Sequence, residues 1–212
     1  MSKFVVAISR EYGSGGREIA HALAAELGIG CYDKSIIKMT AEKSGLEPDF
    51  IAQSEEKVAN SFLFSMQYSA YSTLDSLVYY DTPTTDKMFI AQSAVINDIA
   101  VRDSCIILGR CADYVLRERE DLVRIFIRAD FDDRVRRATA EYELQDKNPA
   151  NAVKKIDKAR ANYYKYYTTR VWGAPENSDL IINSTFTGVA GAVEIIKTML
   201  DQKGYIDLNP GE

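Results

Sequence analysis

The sequence predicts an α/β fold, with a five-stranded parallel sheet, helices on both faces, and ligands received at the C-terminal ends of the strands. Three observations predict it. Short apolar runs bounded by turn residues alternate along the chain with stretches of helical periodicity. Within those runs the apolar residues are mostly continuous rather than alternating with polar ones, the pattern of strands buried on both faces. The first run leads directly into Gly13-Ser14-Gly15-Gly16 and then into a helix, a strand-to-helix turn of the kind that cradles anions.

The elements follow in order. Phe4 to Ile8 is the first strand, and Glu18 to Leu27 carries Ile19, Ala20, Leu23, Ala24 and Leu27 at helical spacing before Gly28 stops it. Ile29 to Tyr32 is a second strand with Asp33 at its end. A helical region from about Ser35 to Ser76, broken near Gly45-Leu46-Glu47-Pro48, reads as an insertion on the rim. Residues 85 to 102 form an amphipathic helix, Ser104 to Leu108 a third strand ending at Gly109-Arg110, and Leu122 to Ile127 a fourth. Asp130 to about Gln145 and Pro149 to about Thr169 are helices rich in Arg, Lys and Tyr; Asp179 to Asn183 is the fifth strand and Val189 to Gln202 the last helix. Ile206 to Glu212 reads as a loosely held tail.

Composition narrows the function classes. The 212 residues suit one well-filled core, and a formal net charge of −5 disfavours a nucleic-acid partner, which usually meets a basic face. The three cysteines, Cys31, Cys105 and Cys111, are an odd set without C-x-x-C spacing, so neither a disulfide framework nor a zinc site is indicated. There is no leader pattern and no apolar run of membrane-spanning length. The expectation is a soluble cytoplasmic protein.

Small residues at the Gly-rich turn let backbone N–H groups converge on an anion, and the helix N-terminus adds favourable partial charge. The usual pattern G-x-x-x-x-G-K-[ST] adds a lysine for the outer phosphates and a hydroxyl for magnesium, whereas Arg17 and Glu18 follow the glycines here. Taken alone, the glycines equally suit a tight connection.

Other segments connect this turn to a family. I-S-R-E-Y-G-S-G-G-R-E-I-A with L-A-A-E-L-G-I-G-C-Y-D-K, then I-I-L-G-R-C-A-D-Y at 106–114, D-K-A-R-A-N-Y-Y at 157–164, and Trp172 followed by D-L-I-I-N-S at 179–184, resemble the cytidylate kinase-like proteins, a divergent branch of the P-loop nucleoside monophosphate kinases. The resemblance spans nearly the whole chain. It implies a P-loop NTPase-like three-layer fold in a single domain over 1–205, with a helical acceptor-binding insertion at about 35–80, a lid at about 134–168, and a tail at 206–212. It also implies ATP as donor, Mg2+ as companion ion, and CMP, dCMP or a related small molecule as acceptor. By spacing to the Asp ending the second strand, the family lysine falls on Gly16; a one-residue slip puts it on Arg17.

The same resemblance supplies candidate residues, each with a plainer reading beside it. Gly13, Ser14, Gly15, Gly16, Arg17 and Glu18 form the donor loop. Arg17 is the nearest cation to replace the lysine, or a solvated helix residue. Arg10 and Glu11 pair to brace the loop, or Arg10 meets phosphate directly. Arg110, after the third strand, matches the arginine that holds the acceptor phosphate, while the aspartate that follows it in the family is Cys111 here and Asp113 is a displaced substitute or a solvated residue. Asp33 contacts the acceptor, orients Lys38, or caps the next helix, and Lys38 is a further candidate for the acceptor phosphate. Arg137, Lys158 and Arg160 best match the lid cations that close on transferring phosphate. Tyr163, Tyr164, Tyr166 and Tyr167 stack on a base or pack a hinge. His21, the only histidine, and Cys111 show no acid–base or nucleophile partner. No side chain is assigned to a metal. The aromatic stretch from Phe62 to Tyr80 covers the acceptor or forms a homodimer seam. A nucleotide- or anion-binding regulatory module without efficient transfer is the competing function, because the lysine and the hydroxyl are both missing.

Overall fold

The computed structural model describes residues 3–45 and 84–208. The aromatic stretch from Phe62 to Tyr80, and most of the proposed acceptor insertion, lie outside those residues. Five parallel strands, β1 (Val5–Arg10), β2 (Gly30–Tyr32), β3 (Cys105–Leu108), β4 (Leu122–Arg128) and β5 (Leu180–Asn183), form one sheet in the order β2-β3-β1-β4-β5. Helices α1 (Gly16–Leu27), α2 (Ser35–Ser44), α3 (Thr84–Arg102), the short α4 (Ala112–Val115), α5 (Phe131–Ala140), α6 (Pro149–Thr168) and α7 (Ser184–Gln202) surround it.

The central strand shows why both faces are covered. Successive β1 side chains point to opposite sides. Val6 and Ile8 join Ile19 and Leu23 of α1 and Val193 and Ile196 of α7 in one buried layer. Val5 and Ala7 join Ile96 and Ile99 of α3 and Leu116 beyond α4 in the other. A strand apolar on both faces is therefore what this position requires. Helix ends follow local chemistry: Gly28 takes a left-handed conformation (φ 65°) to close α1, and the Asn148 side chain accepts from the Asn151 amide with Pro149 next in line to open α6.

The differences from the sequence expectation have physical causes. Strand β1 runs two residues further than its apolar run, because Ser9 and Arg10 pair with Phe126 and Ile127 of β4. Helix α7 begins at Ser184 rather than Val189, with a non-helical Gly188 (φ 67°) interrupting it. The chain after α7 is held more firmly than a tail: Tyr205 stacks on Phe4 with ring centroids 5.3 Å apart, and Ile206 packs on the core. The tyrosines of α6 are used in packing. Tyr167 stacks on Phe89 of α3 at 3.9 Å, and Tyr163 donates its hydroxyl to Gln92 at 3.0 Å.

Ile8, fully buried between α1 and the strands beside it, is the natural test of this core. Ile8→Ala is expected to lower unfolding free energy by about 2–5 kcal/mol, read from the midpoint and slope of urea denaturation.

Candidate functional site

The chain moves to one side of β1 to build β2 and β3, then crosses to the other side for β4 and β5. The crevice this leaves lies at the C-terminal ends of β1 and β3, where doubly wound folds bind ligands. Two turns meet there: Glu11 to Gly15, which follows β1, and Gly109 to Cys111, which follows β3. Gly13 and Gly15 are left-handed (φ 78° and 74°), and a Cβ on Gly13 would land inside the Arg134 carbonyl. Gly109, Arg110 and Cys111 are all left-handed (φ 67°, 55° and 56°), a run that costs free energy at the two non-glycine positions.

Side chains from distant segments hold the first turn. The Tyr12 amide donates to Asp157 of α6 at 2.7 Å, and Asp157 also receives the guanidinium of Arg134, a short ion pair largely shut from solvent. Glu11 accepts from the Ala129 amide at 3.0 Å and sits 3.5 Å from Arg134. The Ser184 hydroxyl, at the head of α7, donates to the Ser14 carbonyl. Arg137 donates to the Gly13 carbonyl at 2.8 Å, and the Tyr142 hydroxyl donates to Glu18 at 2.9 Å with the Gly15 amide against the same oxygen. Burial and then Glu18 raise the Tyr142 hydroxyl pKa, which keeps it neutral. Helix α5 and the residues just after it thus roof the loop, and Gly13, Ser14, Gly15 and Gly16 are buried beneath them.

On the other side of the loop, arginines converge. Arg10 does not pair with Glu11, because neighbouring strand residues face opposite ways. Its Nη2 lies 3.6 Å from Asp33 Oδ1, and Arg17 Nε lies 3.1 Å from Asp33 Oδ2. Arg160 donates to the Arg10 carbonyl at 2.9 Å, with its guanidinium over the Tyr12 ring at 5.4 Å. Burial, and then the charge of Arg160, pull Arg10 down to about 10 despite Asp33; burial also lowers Arg160 against the pull of Asp157. Both remain cations at neutral pH. Arg110 adds its charge to the same group.

The structure therefore brings together Gly13, Ser14, Gly15, Gly16, Arg17, Glu18, Asp33, Arg110, Arg137 and Arg160. It does not bring Lys38 or Lys158 with them; both are exposed on their helices. Asp113 is neither a displaced ligand nor a solvated side chain: it is buried, and accepts from the Tyr164 hydroxyl at 2.6 Å. Asp157 and Ser184 stand in the quoted motifs but, like Tyr142, received no role in the sequence reading, because the loop groups they hold lie more than a hundred residues away. Burial pushes the Cys31 thiol up to about 11 and Cys105 up to about 12, so neither is a nucleophile at neutral pH.

The carboxylates around the loop do not suit a magnesium ion. Asp33 serves two arginines, Asp157 and Glu11 serve Arg134, and Glu18 serves Tyr142. Among the described residues no group of three or more His, Cys, Asp or Glu is placed to hold a metal.

A family model described as the cytidylate kinase-like family matches residues 5–185. Among solved structures, that of an uncharacterized protein from Eubacterium ventriosum ATCC 27560 superposes with a TM-score of 0.67 at 24% identity, covering 94% of this chain and 99% of that one. A shikimate kinase from Bacteroides thetaiotaomicron (TM-score 0.54, 14% identity, 94% and 99% covered) and a sugar kinase from Janibacter sp. HTCC2649 (0.53, 15%, 94% and 95%) share the fold. No curated protein matches the sequence.

Two outcomes follow from the buried charges. Asp157→Ala leaves the Arg134 cation with only the more distant Glu11 and is expected to cost about 3 kcal/mol in urea denaturation. Burial raises the Asp113 carboxyl above its ordinary 3.8, so its ionised form opposes folding. Stability is therefore gained as pH falls through the raised folded pKa, levelling off below 3.8, and Asp113→Asn is expected to lose that gain in melting curves taken across acid pH.

Proposed function

Because the chain belongs to the cytidylate kinase-like family, we propose that it is a nucleoside monophosphate kinase-like phosphotransferase, moving the γ-phosphoryl group of ATP to CMP, dCMP or a related small acceptor. The observation that carries this reading is the convergence of Arg10, Arg17, Arg110 and Arg160 beside the first turn of α1, at the crevice of a parallel sheet.

Phosphoryl transfer asks little covalent chemistry of a protein; it asks for in-line positioning and for positive charge around the equatorial oxygens. The amides of Gly13 to Glu18 face the donor phosphates once Tyr142 yields the place it holds against Gly15. Arg137, already on the Gly13 carbonyl, and Arg160 stabilise charge as the phosphoryl group moves, and Arg17 flanks them. Arg110 holds the acceptor phosphate, and Asp33 occupies Arg10 and Arg17 until phosphate arrives. Magnesium would be held by the nucleotide phosphates themselves, because the carboxylates around the loop are already engaged. Among the described residues no helix is long and apolar enough to cross a membrane.

The roof over the loop favours one competing reading. With Tyr142 and Arg137 engaging the turn, a module that binds nucleotide or another anion and transfers nothing is also consistent with the geometry. Thermal-shift measurements with ATP, with and without Mg2+, followed by a coupled assay over CMP, dCMP, UMP and AMP, separate the two. A kinase shows turnover on at least one acceptor, and Arg137→Ala is expected to lower kcat/KM by about 100-fold. Binding without turnover on any acceptor overturns the kinase reading.

A further inference from the structure

We propose that Arg10, the last residue of β1, supplies the phosphate-holding cation that loops of this type draw from a lysine at the head of the following helix. The inference rests on the kinase reading above and assigns a role within its site.

The first support is register. Set on G-x-x-x-x-G-K-[ST] with Gly15 on the sixth position, residues 10–17 read R-E-Y-G-S-G-G-R. Arginine stands where the pattern has its first glycine, and glycine stands where it has lysine. These two departures are reciprocal; a third places Arg17 where the pattern has Ser or Thr.

The second support is space. A Cβ built on Gly16 would lie 2.6 Å from Arg10 Cβ and 3.0 Å from Arg10 Cγ, with Ile127 Cβ at 3.3 Å. The stem of Arg10 occupies the volume through which a side chain at residue 16 would leave the backbone. A loop of this shape has room for a long side chain at one of the two positions and not at both, which accounts for the exchange better than two independent losses do.

The third is where the guanidinium arrives. It is pinned against Gly109, where a Cβ would collide with its Nη1, and beside Asp33. That places it at the ends of β1, β2 and β3, in the crevice rather than on the protein's flank. Three further guanidinium groups, Arg160, Arg110 and Arg17, act on it beside the carboxylate of Asp33, and Arg160 also lies 4.0 Å from Asp157. Planar guanidinium groups gathered at a strand-end crevice suit a polyphosphate, whose oxygens they can hold bidentately. Arg17, by contrast, is half exposed and turned to the outer oxygen of Asp33.

The test measures binding of ATP and of inorganic tripolyphosphate by titration calorimetry at fixed salt, with melting temperature as the control for folding. Arg10→Met keeps the stem and removes the charge, and is expected to weaken both ligands about 10- to 100-fold. Asp33→Asn frees the guanidinium from its competitor and is expected to tighten tripolyphosphate several-fold, a direction that a damaged fold does not produce. Arg10→Gly combined with Gly16→Lys restores the common pattern and is expected to bind better than either single change. Wild-type affinity in Arg10→Met, or weaker binding in Asp33→Asn, overturns the inference while leaving the kinase reading in place. A wild-type protein that binds neither ATP nor tripolyphosphate overturns the kinase reading and the inference with it.

Discussion

The carboxylate of Asp33 governs this end of the molecule. Asp33 closes β2 with one carboxylate, and both Arg10 from β1 and Arg17 from α1 are drawn to it, while Arg160 and Arg110 crowd from either side. Arg160 in turn lies 4.0 Å from Asp157, so the cluster reaches a second carboxylate. Burial is the chief cause of the depressed Arg10 pKa, and the charge of Arg160 comes next. The strained left-handed run from Gly109 to Cys111 belongs to the same setting, because it delivers Arg110 to the cluster at a conformational cost.

Much of this was legible in the sequence, and the reasons are specific. The strands could be read because Val5 to Ile8 and Cys105 to Leu108 are buried on both faces and so are continuously apolar. Periodicity placed α1, since Ile19, Leu23 and Leu27 recur on one side of it. What could not be read was direction. Arg10 sat in view beside Glu11, but only the twofold alternation of the strand, extended by pairing to β4, sends the two side chains apart, one to Asp33 and the other to Arg134. Asp113 looked like a polar residue on a short helix; that Tyr164 reaches it depends on how α6 lies across the sheet. Lys158 and Arg160 are two residues apart on one helix, and helical rotation alone puts the second at the site and leaves the first in solvent.

Side chains from distant segments keep the glycine-rich turn in shape. Its carbonyls at Gly13 and Ser14 accept from Arg137 and Ser184, and its amide at Tyr12 donates to Asp157. Each bond fixes a backbone group that a turn of small residues would otherwise leave free to wander. The same bonds couple the turn to α5, α6 and α7, so a displacement of the roof cannot be local. Tyr142 and Arg137 lie on one segment with Arg134, which holds Asp157 and Glu11. Preorganisation and access thus draw on one set of contacts.

That arrangement bears on how the chain is made. The turn leaves the ribosome well before its supports at residues 137, 157 and 184, which follow their partners by 124 to 170 residues. Such distant contacts carry a large loop-closure cost and form slowly. Until β3 and β4 have followed, β1 waits as an apolar strand with open hydrogen-bonding edges on both sides. The crevice is complete only when Ser184 reaches the carbonyl of Ser14.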